Sequence, residues 1–376
     1  MPKMTDDQLL NQIETLERQA LGYWTGEIAQ EQAKAMDYYL GKPFGTEEEG
    51  RSSVVSTDVW DVVEGLTPLV LKPFVASDDV VRFNPLGPDD EKAAQQESEY
   101  INWVVTQRND SFNQLVAWVK TGLLQKNGVV KYWWEQSTNT SIERYFGVPD
   151  DVLTLIAQDE GVEVVELSET VTPDGQVLND VVLRVSEPVG HARYCVLPPE
   201  EFLIARDATC PDPKAASFVQ HRRMVTIGEL RDMGYDVPDT ISDEQGYDTE
   251  YSQQFQARSG QDETSANDEG NDPTAKKVLF RESFLLVDFD GDGKQELRKV
   301  CAVGRELLSN EETEEIPFCA WTPYPQPFKF YGRCPADETL EIQLVKSTLW
   351  RQSLDNIYTI NNNRTYVNES VNLDDL

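Results

Sequence analysis

The stretch that decides how this chain reads is Trp321-Thr-Pro-Tyr-Pro-Gln-Pro-Phe-Lys-Phe-Tyr-Gly-Arg333, followed after Asp337 by Glu341-Ile-Gln-Leu-Val-Lys-Ser-Thr-Leu-Trp-Arg-Gln-Ser-Leu-Asp-Asn-Ile-Tyr358. The first part is aromatic and broken by prolines. In the second, Ile342, Val345 and Leu349 form an apolar stripe, which Trp350, Leu354, Ile357 and Tyr358 continue at three- and four-residue spacing. That period predicts one amphipathic helix from about Ala336 to Asn361. Glu341, Gln343, Lys346, Arg351, Gln352 and Asp355 occupy the opposite face. By itself the pattern predicts a helix laying its apolar stripe on a core. A length of roughly 38 Å also suits a helix packed beside copies of itself in a ring.

Toward the N-terminus, Thr5-Asp-Asp-Gln8 is a capping box ahead of Leu9, Leu10, Ile13 and Leu16. A second helical pattern covers about Gly26 to Leu40, so residues 1–50 predict an antiparallel helical hairpin. Residues 51–135 read as a helical region ending in a strand. Its helices fall at Val54–Phe74, where Pro68 kinks or ends the pattern, and at about 93–105 and 112–123. Asp79–Pro85 reads as a short strand and Gly128–Trp134 as a clear one, whose Trp133 and Trp134 fit the two faces of a buried sheet better than a base-stacking platform. Residues 136–235 are β-rich: Val162–Ser168 and Val177–Val185 flank Pro173-Asp-Gly175, a hairpin signal. Residues 236–274 read as a mobile acidic insertion, because 236–273 hold eleven acidic residues against one arginine, Arg258. Residues 275–335 form a β-hairpin region around an Asp/Gly loop, and 336–376 hold the long helix. The fold class is α+β.

The chain has 376 residues, 39% hydrophobic, enough for two or three domains with a sizeable core. Thirty-three basic against 67 acidic residues give a net charge of −34. Such a surface repels phosphate, which argues against reading DNA through a basic face. The five cysteines, at 195, 210, 301, 319 and 334, lack metal-ligand spacing, and their odd number argues against a complete disulfide framework. They read as reduced thiols. The first residues lack a signal-peptide core, and no run of about 18 apolar residues predicts a membrane span.

Asp288-Phe-Asp-Gly-Asp-Gly-Lys-Gln-Glu296 copies half of a calcium loop. Asp288, Asp290 and Asp292 stand at ligand positions one, three and five, with Glu296 at the ninth. Lys299 occupies the twelfth, where a bidentate glutamate belongs, so an EF-hand is rejected. The loop is either a divalent-cation site of another kind or an Asp-Gly turn without metal. His191 and His221 have no nucleophile at a recognisable spacing, and no phosphate-loop motif occurs. No reaction is predicted and no other cofactor.

The run Pro327-Phe, Tyr-Gly332, Asp337, Gln343, Thr348, Arg351 and Leu354-Asp-Asn356 resembles the portal proteins of short-tailed bacteriophages. So, in the same order along the chain, do Tyr38-Tyr-Leu-Gly41, Gly50-Arg-Ser-Ser53 with Asp58-Val59, Pro68 to Phe74, Phe83-Asn-Pro85 and Asn127-Gly-Val-Val-Lys131. Pro199-Glu-Glu-Phe-Leu203, His221-Arg-Arg223, Glu229-Leu230, Met233-Gly-Tyr-Asp236 and the Asp288–Arg298 hairpin complete the series. The resemblance implies a non-enzymatic subunit of a ring, typically dodecameric, at one capsid vertex of the virion, assembled in the host cytoplasm. Its implied partners are copies of itself, the large terminase, tail adaptor and capsid proteins, and double-stranded DNA passing without sequence specificity. Residues before about 330 would form the wing, and the 336–361 helix would approach the stem. Lys346, Arg351, Gln352 and Asp355 become candidates for channel or ring contacts. Family members usually continue beyond a point equivalent to Asp374-Asp-Leu376, so a fragment or a split portal is expected. The competing reading is a monomeric, acidic, calcium-dependent binding module built on the Asp288 loop.

Overall fold

In a computed structural model the described residues are 3–76, 80–87, 90–156, 161–171, 177–238, 258 and 273–361. The fold is α+β and divides into two compact units, one of Trp103–Asn109 with Tyr132–Tyr194 and one of the remaining chain.

The larger unit opens with α1 (Asp6–Tyr23), whose Thr5 cap accepts from Gln8 N–H while the Gln8 side chain accepts from Thr5 N–H. The expected hairpin does not form. Tyr23 and Ala29 both keep right-handed helical dihedrals, and Trp24–Ile28 form a π-helical turn leading straight into α2 (Ala29–Tyr39). The wide turn accommodates Trp24, which is buried and donates its indole N–H to Gln32, whose amide donates in turn to the Gln125 carbonyl. In α3 (Asp58–Val75), Pro68 and Pro73 are both tolerated inside the helix. α3 packs against α5 (Ser111–Gln125) and the C-terminal helix, and those contacts hold it together across the lost backbone bonds.

Val80–Pro85 forms no strand and pairs with none among the described residues. Val80 and Val81 instead donate to the side-chain oxygen of Asn102, at 3.0 and 2.9 Å, and the Asn102 amide donates back to the Val81 carbonyl. Asn102 lies on α4 (Glu91–Trp103), so a helix side chain replaces the missing strand.

The first residues of β1 (Gly128–Pro149) pair antiparallel with β9 (Phe318–Trp321). β4 (Phe202–Ile204), β5 (Phe218–Thr226), β6 (Lys277–Val287), β7 (Glu296–Val303) and β8 (Glu306–Glu312) form an antiparallel sheet in that order. Its face buries Phe202, Phe218 and Phe284 with Phe318, Phe330 and Trp24. The short helix α7 (Ile227–Asp232) follows β5 with a capping box of its own. At the sheet centre the buried Glu282 touches Lys131 and lies 3.3 Å from Lys299 and 3.8 Å from His221. Burial would raise its carboxyl, but His221 and the two ammonium groups win and hold it far below the usual range.

In the smaller unit the rest of β1 shares a sheet with β3 (Val177–Leu197) and β2 (Val162–Val171), and α6 (Asp150–Ile156) lies between β1 and β2. β2 and β3 pair antiparallel from Val162 opposite Val185 to Val171 opposite Val177, as the hairpin signal requires. Its Pro173-Asp-Gly175 turn lies outside the described residues, and so does the acidic segment apart from residues 236–238, Arg258 and residues 273–274. Trp133 and Trp134, expected in a buried sheet, are 38% and 59% exposed. The core of this unit is small, centred on Val148, Val181 and Leu183, and it does not reach that end of β1.

Candidate functional site

The proline-broken run is a rigid loop. Tyr324 and Arg333 exchange backbone hydrogen bonds of 3.2 and 3.0 Å across its base. The Asn127 side chain donates to the Phe330 carbonyl and accepts from Gly332 N–H. A Cβ on Gly332 would lie 2.2 Å from Thr322 and 2.5 Å from the Tyr324 carbonyl, so only glycine closes the loop.

The loop leads into α8 (Pro335–Asn361). Asp337 in its first turn accepts from Cys334 N–H and from Lys126 Nζ, which also meets Glu31 at 3.0 Å. Burial would lower the Lys126 pKa, but the two carboxylates prevail and raise it.

From there α8 reverses the expected packing. Its polar face is the inner one. Gln343 accepts from Val59 N–H at 2.8 Å and donates to the Tyr38 carbonyl at 2.9 Å. Ser347 Oγ accepts from Ser56 N–H, Arg351 Nε donates to the Val54 carbonyl, and Asp355 accepts from Ser52 N–H at 2.7 Å. These side chains recur every four residues on the helix, about 6 Å of rise. Ser52, Val54 and Ser56 recur every two residues, which spans about 6.6 Å at the rise of an extended chain. The two spacings match closely enough for one helix face to serve as the missing strand beside residues 52–56. Ion pairs flank the ladder: Lys346 with Asp58 at 2.6 Å and Arg351 with Glu47 at 2.6 Å. Both carboxyls are held below their ordinary range. Burial opposes the shift at Asp58, where Lys346 and Ser56 outweigh it; at Glu47 the Phe44 and Glu47 N–H groups and Arg351 do so.

The apolar stripe is therefore left outside. Ile342, Val345, Leu349, Trp350, Ile357 and Ile360 are each more than half exposed, Ile342 at 60% and Ile360 at 68%. On the order of 600 Å² of apolar side chain lies along one helix, at the upper end of what monomers expose and typical of an interaction surface.

Of the predicted contact residues, Lys346, Arg351 and Asp355 thus bind the chain's own segment 47–58, and Gln352 is exposed. Ser347 and Ser52 were not among the predicted contact residues. The available signal was the four-residue repeat of hydrogen-bonding side chains Gln343, Ser347, Arg351 and Asp355.

The Asp288 carboxylate accepts from Gly291 and Gly293 N–H at 2.7 and 3.0 Å, and Asp292 accepts from Lys294 N–H. Glu296 pairs with Arg298, and Asp290 is exposed. Among the described residues no group of three or more Asp, Glu, His or Cys is placed to hold a metal ion. The loop is a turn tied off by its own backbone, and it anchors the N-terminus through a hydrogen bond from Met4 N–H to the Phe289 carbonyl. His191 lies 3.2 Å from Glu135, and His221 lies 3.4 Å from Glu201.

The long helix is thus tethered to the chain's own body by its polar face and presents an apolar stripe on the other. The chain belongs to the phage SU10 portal protein family, whose model matches residues 9–376. No curated protein matches it. It is thus a bacteriophage portal, a head–tail connector protein of DNA packaging, in a family that is structural rather than enzymatic and that implies capsid, terminase and tail proteins and DNA as partners. The family places such proteins at the capsid vertex of the virion, and no helix among the described residues is long and apolar enough to cross a membrane. Nothing in the match supports a calcium-dependent binding module.

Proposed function

We propose that the chain is one subunit of a homo-oligomeric ring, dodecameric as the family resemblance implies, at one vertex of the phage head. The ring is a conduit for double-stranded DNA during packaging and ejection and a platform for the large terminase, the tail adaptor and the head shell, assembled in the host cytoplasm. The regions before α8 form its wing, and α8 approaches the stem. The observation that carries this reading is the outward apolar stripe of α8 on a helix already held by its other face. The net charge of −34 suits a conduit, since an acidic wall repels the duplex whereas each basic contact adds counterion-release affinity and drag.

Electron microscopy of the purified chain tests the proposal. Rings with a central hole wide enough for a DNA duplex are expected, and particles that stay monomeric across the accessible concentration range would overturn it. Lysines introduced at positions that such images place on the channel wall should slow packaging.

A further inference from the structure

Two unfavourable features coincide at Phe328. Lys329 N–H donates to the Gln326 carbonyl at 3.3 Å, closing the turn Gln326-Pro-Phe-Lys329 with Pro327 at its second position. Phe328 takes the third with φ +59°, where type II turns favour glycine or asparagine because a larger side chain is strained. Phe328 is nevertheless 84% exposed. The loop beneath is pinned by the Tyr324–Arg333 bridge and by Asn127, so the ring is held out on a rigid stalk. Strain retained in an exposed aromatic points to a contact that the isolated chain does not make.

An apolar surface lies along α8, where Ile342, Val345, Leu349 and Trp350, with Glu341 and Lys346, line a shallow, open groove of about 710 Å³. Lys346 is held by Asp58, whereas Glu341 has no ion-pair partner among the described residues, nor has Lys329 beside the knob. On a chain of net charge −34, a lysine next to an exposed phenylalanine and without an ion-pair partner among the described residues suits a carboxylate such as that of Glu341. Knob and groove are different surfaces of one chain. A contact between them is heterologous, so it propagates from copy to copy and can close into a ring instead of stopping at a dimer.

We propose that Phe328 of one copy inserts into the α8 groove of the next, with Lys329 against Glu341; this rests on the ring reading above. The test uses the full chain, with assembly followed by sedimentation and native mass spectrometry. Phe328→Gly relieves the turn, so it should raise the unfolding temperature of the dissociated chain while weakening assembly about tenfold or more. A merely structural role would move both the same way. Lys329→Glu and Glu341→Lys should each weaken assembly, and together restore it. A photo-cross-linking residue at 328 should attach to residues 341–353 of another, isotopically distinguished copy. Unimpaired assembly of Phe328→Gly, failure of the double swap to rescue, or attachment elsewhere on the neighbour or on another protein would overturn the pairing and leave the ring standing. A wild-type chain that never assembles overturns both.

Discussion

Gln343 shows how much one side chain does here. It is fully buried, and it pairs with one backbone N–H and one backbone carbonyl from separate segments. Gln343→Leu keeps the approximate volume but leaves both groups buried without partners, a loss of about 2–4 kcal/mol expected in urea unfolding. Gln352→Leu, on the same helix but exposed, should change stability by less than about 0.5 kcal/mol. At the Asp288 loop the carboxylate already accepts backbone N–H groups. Millimolar calcium should therefore leave the unfolding temperature unchanged; a rise of several degrees would show a site formed by rearrangement.

At the scale of the element, α8 has an apolar stripe that period analysis places on a core, and that reading fails. Periodicity shows that two faces differ; it does not say which face meets the chain's own body. Here an extended segment needs hydrogen-bond partners, and the polar face supplies them every four residues. Asn102 performs the same service for Val80 and Val81. Leu349→Gln is accordingly expected to leave the stability of the dissociated chain within about 0.5 kcal/mol of wild type, measured by chemical denaturation. In a core-covering helix a comparable change costs several kcal/mol. Removing the ladder from its other side, by Ser56→Pro, deletes the N–H that meets Ser347 and should lower stability by about 1–3 kcal/mol.

Across the whole molecule, charge sets the response to conditions. Glu282, Asp58 and Glu64 have pKa values held below their unfolded values, so their contribution is present above about pH 4 and is lost as pH falls through the folded values. Lys126 and Lys299 have raised values, so theirs is present below about pH 10 and is lost as pH rises through the folded values. Stability followed by urea midpoint should form a plateau between those limits and fall on either side. Copies each carrying −34 repel one another, so added salt should promote self-association through an apolar stripe. Salt-induced dissociation would instead indicate contacts dominated by ion pairs.

Local pattern by itself determined much of this protein. The capping box at Thr5, the β2–β3 and β6–β7 hairpins, the α+β class and the existence of α8 follow from spacing and turn chemistry that act over a few residues. The ordered run of motifs from Tyr38 to Asn356 also pointed to the portal family, and several of those pieces meet in space. Tyr38, Ser52 and Val59 converge on α8, and Asn127 closes the loop before it. Only the tertiary structure decided that α1 runs through a π turn into α2 without reversing, that Pro68 stays inside α3, and that α8 turns its polar face inward. In each case the deciding partner lies far along the chain: Gln125 for Gln32, the helices flanking α3 for Pro68, and segment 52–59 for Gln343 to Asp355. A hydrogen bond across some three hundred residues leaves no local periodicity to read, because either face of an amphipathic helix can be the buried one when a stretch of unpaired backbone lies beside it.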